Sequence, residues 1–254
     1  AYAAGRCEFR ELDDVALELF SRHDMFLDSW VSRQLKGYRP YFDAQLTSLK
    51  ATQYVPAPVL ATSRSGDHQF VPAPNALSIR ELIEDGPMAL EVVGRGGTGK
   101  TMLLGRIGIW AMEVDPNRRL LASSTAIPIL IRKTTLNIVD HVILELKKGT
   151  AVPDANFFDP VLIKAALRTR RLIVLVDGLS ELDGGTIDTV GNVFGTLPVT
   201  LLCFSARQAF PEIAPAYREI NPQELDGKDL NRFVSQYIFL NRLRDKLSPL
   251  EELA

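Results

Sequence analysis

Cysteine is scarce in this sequence, with 2 Cys among 254 residues. Cys7 and Cys203 lie far apart, and neither belongs to a C-x-x-C pair or stands beside histidines at the spacing of a metal site. A disulfide framework and a zinc module are therefore not indicated, and we expect a reducing, cytoplasmic compartment. Cys203 lies inside an apolar run and is expected to be buried and inert.

Long apolar runs are also missing. No stretch approaches the ~20 residues that a membrane-spanning helix needs, and the first residues lack the basic-then-apolar plan of a signal peptide. The formal net charge is -2, so no overall positive field attracts nucleic acid. Two basic clusters, at residues 168–171 and 242–246, are interpreted as solvated helix faces. We therefore expect no membrane span, and a nucleic-acid partner is not indicated.

The chain lacks an initiator methionine and ends within a charged helical pattern, which leads us to expect a segment of a longer protein. Its composition is that of a globular protein, with 46% hydrophobic and 24% charged residues. This length permits one large α/β domain or a main domain with a small appendage, and we favour the second.

Helical periodicity dominates the first 50 residues. Apolar residues recur at helical spacing over residues 11–36, Gly37 is predicted to end that helix, and a shorter helical pattern follows Pro40. The next stretch, residues 53–75, mixes prolines with Ser, Thr and Gly and predicts a boundary or an irregular hairpin.

Beyond residue 75, short apolar runs alternate with helical patterns. The runs predict buried strands at residues 89–93, 127–131, 172–176 and 199–204. Helices are predicted at residues 100–112, from Thr134 to about residue 149, after the Asp159-Pro160 pair, and at residues 186–196. Continuous apolar strands between helices predict a mainly parallel sheet covered on both faces, which is a three-layer α/β/α fold.

One motif matches the phosphate-loop pattern G-x-x-x-x-G-K-[ST] along its whole length. It directly follows the predicted strand at 89–93 and directly opens a helix, which is the context that phosphate capture requires. Its glycines let backbone N–H groups turn inward around a phosphate, where a Cβ would collide. We predict that Lys100 reaches the β- and γ-phosphates and that the Thr101 hydroxyl ligates Mg²⁺. The predicted nucleotide-binding positions here are Gly94, Arg95, Gly96, Gly97, Thr98, Gly99, Lys100, Thr101 and Met102.

A second motif is the apolar run of residues 172–176 followed by Asp177 and Gly178. Ligands of parallel sheets lie at the carboxyl ends of the strands, so Asp177 is predicted to face the Mg²⁺ through a water. Glu181, four residues further on, is placed to orient or deprotonate an attacking water.

A third candidate is Arg207, just beyond the predicted strand at 199–204. A guanidinium at a neighbouring strand end could bind the γ-phosphate and lose that contact when the phosphate is released. The predicted catalytic set is therefore Lys100, Asp177, Glu181 and Arg207, with Thr101 and Asp177 at the metal.

These motifs, in this order, resemble the NACHT family of STAND ATPases. GRGGTGKT resembles its phosphate loop, IPILIRK the strand after the first helix, LIVLVDGLSEL its extended acidic motif and CFSAR its sensor-1 strand. The segment Tyr54-Val55-Pro56 resembles the stretch that helps to cover adenine, so Tyr54 and Val55 join the predicted binding residues. Leu225 and the helical pattern at 229–234 resemble the start of the first helical subdomain. The resemblance spans residues 54–240.

The resemblance implies a P-loop NTPase core with ATP/ADP and Mg²⁺ as cofactors. The predicted division is a helical lead-in at residues 1–52, the core at 53–215 and the start of a helical subdomain at 216–254. It further implies a cytoplasmic switch in immune or stress signalling that forms a homo-oligomer on activation, with effector and sensor domains outside this chain. Ser180 is a departure, since members often carry an acid there, and slow hydrolysis is therefore expected.

Other functions share parts of this pattern. An AAA+-like remodelling ATPase has the same loop, strand acid and sensor arginine, although no aromatic pore-loop segment is evident. A GTPase would carry an Asn-Lys-x-Asp motif, which residues 227–229 do not match. A nucleotide-binding interaction module with little turnover is a further alternative, which Ser180 favours.

Overall fold

The computed structural model describes residues 24–49, 55–62, 67–83, 88–135, 137–150, 158–196, 201–210, 217–224 and 227–240. The predicted helical residues 11–23 and Tyr54 lie outside these ranges. The helices are α1 (Asp24–Ser48), α2 (Ala76–Ile83), α3 (Lys100–Ala111), α4 (Ile138–Thr150), α5 (Pro160–Arg168), α6 (Gly184–Thr196) and α7 (Gly227–Leu240). The strands are β1 (Val59–Thr62), β2 (His68–Val71), β3 (Met88–Val93), β4 (Ile127–Ile131), β5 (Leu172–Val176), β6 (Leu201–Ala206) and β7 (Tyr217–Pro222).

The seven strands form one mixed sheet in the order β2-β1-β7-β3-β6-β5-β4. From β7 to β4 every pairing is parallel, whereas β1 is antiparallel to both β2 and β7. The predicted α/β class and mainly parallel sheet are therefore confirmed, and the arrangement is compatible with three layers. Strands β4, β5 and β6 are buried at every residue, which is why their sequences are continuously apolar.

Helix α1 continues through Gly37 and Pro40, so the predicted stop at Gly37 is wrong. The glycine serves close packing instead, because a Cβ there would lie 3.3 Å from the Thr150 Cα on α4. Beyond it, Tyr38 and Phe42 are completely buried in the common hydrophobic core. Tertiary packing therefore holds the helix together past two residues that are poor helix formers.

Helix α4 begins at Ile138, four residues later than predicted. The Asn137 Oδ1 accepts hydrogen bonds from the backbone N–H of Val139 at 2.9 Å and of Asp140 at 3.3 Å, which is the pattern of an N-cap. Upstream, the Thr135 N–H donates to the Thr186 Oγ1 of α6 at 3.0 Å, outside any helix. The cap prediction for α5 is confirmed, since the Asp159 carboxylate accepts from the Val161 N–H at 2.7 Å.

At the edge of the sheet that contains β1 and β2, one of the two structures predicted for residues 53–75, a hairpin, is present. It consists of the short antiparallel strands β1 and β2. Strand β7 was not predicted, because its sequence YREINP has no continuous apolar run. It pairs with both β1 and β3 although it follows the predicted core boundary at residue 215. The division into domains otherwise stays a prediction.

Strand β6 ends at Ala206, two residues later than predicted, which places Arg207 directly at the strand end. Among the described residues, no helix is both long enough and apolar enough to cross a membrane.

Two mid-helix glycines offer a matched test of core packing. A Cβ on Gly108 of α3 would lie 2.5 Å from the Phe42 Cζ and 3.0 Å from the Leu175 Cδ1, whereas one on Gly191 of α6 would meet no atom within 4 Å. We expect Gly108→Ala to lower the free energy of unfolding by about 1–3 kcal/mol through overpacking. We expect Gly191→Ala to raise it by about 0.5–1 kcal/mol, because alanine favours the helix. Urea unfolding measures both, and equal shifts in the same direction would contradict this packing.

Candidate functional site

The loop between β3 and α3 lies at the carboxyl edge of the sheet. Gly97 and Gly99 both have φ +84, a left-handed conformation that only glycine adopts without strain. A Cβ on Gly96, Gly97 or Gly99 would meet no protein atom within 4 Å, so the space beside these glycines is open. Helix α3 has Gly99 at its N-cap, with no side-chain cap and no acidic residue in its first turn. Its first N–H groups are therefore available to an anion.

Lys100 lies on the inner side of this loop. Its Nζ donates to the carbonyl oxygens of Gly94 and Arg95, at 2.7 Å each. Burial of the ammonium and the nearby positive charge of Arg207 lower the Lys100 pKa, while the carboxylates of Asp177 and Glu181 oppose that shift. The ammonium is thus held within the loop, among charges of both signs.

Asp177 meets the loop from the end of β5. The Thr101 hydroxyl lies 2.9 Å from its Oδ1 and 3.1 Å from its Oδ2. Ser205 on β6 also donates to Asp177 Oδ1, at 2.8 Å, and accepts from the Gly178 N–H at 2.8 Å. Ser205 is completely buried, so it fixes the carboxylate and the start of the next turn together. The two predicted metal residues therefore lie side by side although 76 positions separate them.

Glu181 and Arg207 form an ion pair at the rim. The Arg207 guanidinium donates to Glu181 Oε1 from its Nε at 3.1 Å and from a terminal nitrogen at 2.7 Å. Both side chains are more than half exposed, so the pair contributes little to stability. The Arg207 N–H also donates to the Ser180 Oγ at 3.2 Å, which gives Ser180 a local structural role.

Arg132 is a cation that the site prediction missed. It follows β4 directly, and its Nε lies 3.7 Å from Asp177 Oδ2. Strands β4 and β5 pair Ile131 with Val176, and the Asp177 N–H donates to the Ile131 carbonyl oxygen at 3.0 Å. The same signal that singled out Asp177, a polar residue at the carboxyl end of a buried strand, could have identified Arg132 and Ser205.

These side chains surround a polar cleft of about 550 Å³. Its charged lining consists of Lys100, Arg132, Asp177, Glu181 and Arg207. Three cations against two carboxylates leave one excess positive charge, before any ligand is counted. Such a cleft suits a polyanion accompanied by a cation.

A second cleft, of about 540 Å³, adjoins the first across the glycine loop and is mainly apolar. We call it the apolar cleft; its lining includes Val55, Val59, Leu103, Pro222, Leu230 and Phe233. Gly96, Gly97, Gly99 and Met102 border both clefts. Val55 was among the predicted binding residues. Pro222 was not, because β7 was not predicted, and Leu230 and Phe233 were not, although a helical pattern was predicted at 229–234.

The residues present fit a magnesium nucleotide. Mg²⁺ prefers oxygen ligands and keeps several waters, so one hydroxyl, one carboxylate and phosphate oxygens suffice. The Thr101 hydroxyl would bind the ion directly, and the Asp177 carboxylate would face it through a water. No cluster of three or more His, Cys, Asp or Glu side chains that could hold a metal by itself occurs within the described part of the chain. Such a site depends on phosphate oxygens to complete its ligand set.

Arg95 and Thr98 contact each other within the loop, and Thr98 also lines the apolar cleft. The Thr98 hydroxyl donates to the Arg95 carbonyl oxygen at 3.0 Å. The Arg95 side chain is highly exposed and lies 3.9 Å from Glu224. Among the predicted site residues that the structure describes, all except Gly94 and Arg95 line one of the two clefts.

Fold and site define this chain as an α/β protein with a loop-to-helix cleft at the carboxyl edge of a mixed sheet. No protein-family model matches the chain. No curated protein matches it either.

Proposed function

We propose that this chain binds Mg²⁺ and ATP across the two clefts, hydrolyses the nucleotide slowly and acts as the switch of a NACHT-type STAND signalling ATPase. The observation that carries the proposal is the contact between the Thr101 hydroxyl and the Asp177 carboxylate at 2.9 Å. It joins the glycine loop to a strand-end acid, which is the pairing that magnesium-dependent phosphate binding requires.

In the proposed complex, the open space beside the loop glycines holds the phosphates. Backbone N–H groups of residues 96–101 face the β-phosphate, and Lys100 exchanges its two carbonyl acceptors for phosphate oxygens. Thr101 and Asp177 would hold the Mg²⁺, which would neutralise negative charge on the phosphates. The apolar cleft takes the base, since its aromatic and aliphatic lining favours a flat ring.

In the proposed hydrolysis, Glu181 orients a water in line with the γ-phosphorus and accepts its proton. The water oxygen forms the new bond to phosphorus as the bond to the β-phosphate oxygen breaks, releasing ADP and phosphate. Lys100 and Arg207 stabilise the negative charge on the γ-phosphate oxygens.

Arg207 donates twice to the Oε1 of Glu181, at 2.7 and 3.1 Å, and so engages one of the two oxygens that could accept the proton of a water. This competition for the carboxylate favours slow turnover. The same observation supports a second candidate, a nucleotide-binding interaction module with little turnover. The two candidates differ in whether phosphate is released in a Glu181-dependent manner.

As a switch, the chain would respond to nucleotide identity. ATP and ADP would stabilise different packings of the core, α7 and the regions outside this chain, and so control oligomerisation. Oligomerisation and signalling partners are implied by the NACHT resemblance alone.

Calorimetric titration tests the binding step. We expect the wild-type protein to bind MgATP and MgADP, and GTP more weakly, since no Asn-Lys-x-Asp motif is present. Sedimentation with a non-hydrolysable ATP analogue and with ADP then compares the oligomeric states. Absence of nucleotide binding would contradict the whole proposal. Nucleotide binding without any change of oligomeric state would contradict the switch and leave an ATPase or an interaction module as the function.

A further inference from the structure

Arg132 is the charged residue of the polar cleft to which the proposed mechanism assigns no role. Its side chain is half exposed, at 50%, whereas that of Asp177 is 10% exposed. The Nε–Oδ2 separation of 3.7 Å is too long for a hydrogen bond, so the two groups are attracted without being locked together. A long side chain held this loosely can change its partner at small cost.

Arg132 faces the carboxylate that a metal would need. Ser205 donates to Oδ1 of Asp177 at 2.8 Å, the Thr101 hydroxyl lies 2.9 Å from Oδ1 and 3.1 Å from Oδ2, and Arg132 approaches Oδ2. A guanidinium and Mg²⁺ repel each other, and both are attracted to the same carboxylate. Entry of the metal therefore favours departure of Arg132 from Asp177.

The displaced guanidinium has a second partner within the proposed complex. Arg132, Lys100 and Arg207 line one cleft, and Arg207 is already bonded to Glu181. A planar guanidinium matches phosphate oxygens in a bidentate manner. ATP offers a γ-phosphate near the metal, and ADP lacks that group.

We propose that Arg132 exchanges partners: it is the counter-ion of Asp177 in the absence of metal, and it contacts the γ-phosphate of ATP once Mg²⁺ pairs with that carboxylate. This inference rests on the proposed function. It makes Arg132 a residue that links metal binding to discrimination between ATP and ADP.

Two titrations of Arg132→Gln test the exchange: affinity for an ATP analogue should fall, and affinity for Mg²⁺ should rise. With Mg²⁺ present, affinity for a non-hydrolysable ATP analogue should fall about 10-fold and affinity for ADP less than about 2-fold, because a charge-assisted contact to phosphate is lost. At a fixed saturating ADP concentration, the apparent Mg²⁺ affinity should rise about 3-fold or more, because no guanidinium competes for Asp177. The ADP concentration is the same in both titrations, so free ADP binds the same amount of Mg²⁺ in each, and the difference in apparent affinity comes from the protein.

Arg118→Gln is the matched control, because Arg118 is an exposed arginine that lies outside both clefts. It should leave both titrations unchanged. Arg132→Lys keeps the charge without the planar fork, so it should show a smaller loss for the ATP analogue and little change in Mg²⁺ affinity. If Arg132→Gln does not fold, Arg132→Lys still carries the comparison between ATP and ADP.

Equal losses for ATP and ADP would overturn the exchange, since Arg132 would then contact a phosphate that both nucleotides share. An unchanged Mg²⁺ affinity would overturn it too, because Arg132 would not compete at Asp177. Wild-type affinities in Arg132→Gln, with nucleotide binding still dependent on Lys100, would refute this inference alone. Failure of the wild-type protein to bind nucleotide would remove the proposed function and the inference together.

Discussion

Replacing Lys100 by alanine should weaken binding of MgATP by about 100-fold or more, because each charge-assisted hydrogen bond to a phosphate contributes about 1.5–3 kcal/mol and more than one would be lost. In the structure, the Lys100 ammonium donates hydrogen bonds to the carbonyl oxygens of Gly94 and Arg95. Its removal leaves those exposed or half-buried carbonyls to water, so the fold should tolerate the change.

Calorimetry measures the affinity, and thermal unfolding checks that the variant is folded. Lys147→Ala, at an exposed position of α4, is the matched control and should bind like the wild-type protein. A folded Lys100→Ala protein with wild-type affinity for ATP would mean that the glycine loop does not hold phosphate.

Glu181→Gln should lower the rate of phosphate release by about 100-fold or more, since general-base catalysis contributes about 10²–10⁴-fold. The amide keeps the size of the side chain but cannot accept the proton of the attacking water. Because Glu181 is 60% exposed, loss of its ion pair with Arg207 should change thermal stability little. ATP affinity should stay within about 3-fold of wild type, since Glu181 makes no phosphate contact in the proposed complex.

Single-turnover release of phosphate measures this rate directly. Glu81→Gln, at an exposed position on α2, is the control and should hydrolyse ATP at the wild-type rate. Equal rates in the wild-type protein and Glu181→Gln, with ATP still bound, would favour the interaction module over the ATPase.

Strong local signals account for the parts of the fold that the sequence predicted well. Strands β4 and β5 are continuously apolar because both of their faces are buried, so their positions could be read directly. Helix α5 carries its own start signal, with Asp159 as cap and Pro160 as first residue.

The errors arose where long-range contacts outweigh local preference. Gly37 and Pro40 are helix breakers by propensity, yet α1 passes through both because Tyr38 and Phe42 are buried in the core. Strand β7 is polar in sequence and becomes a strand through its pairing with β1 and β3. Strands β1 and β3 lie far from β7 in the chain, so the residues next to β7 in sequence do not reveal this pairing.

The residues of the candidate site also fall into two groups, those that a local sequence pattern predicts and those that only the tertiary structure brings together. The sequence by itself determined the glycine loop with Lys100 and Thr101, because their spacing is that of a strand-to-helix turn, and it determined Asp177, because a continuous apolar run ends directly before that acid. Only the tertiary structure decided that Thr101 lies 2.9 Å from Asp177, that Ser205 fixes that carboxylate, and that Arg132 faces it. Those contacts depend on the order of the strands in the sheet, in which β6 separates β3 from β5. Strand order is set by packing among distant segments, and a local pattern of residues does not record it.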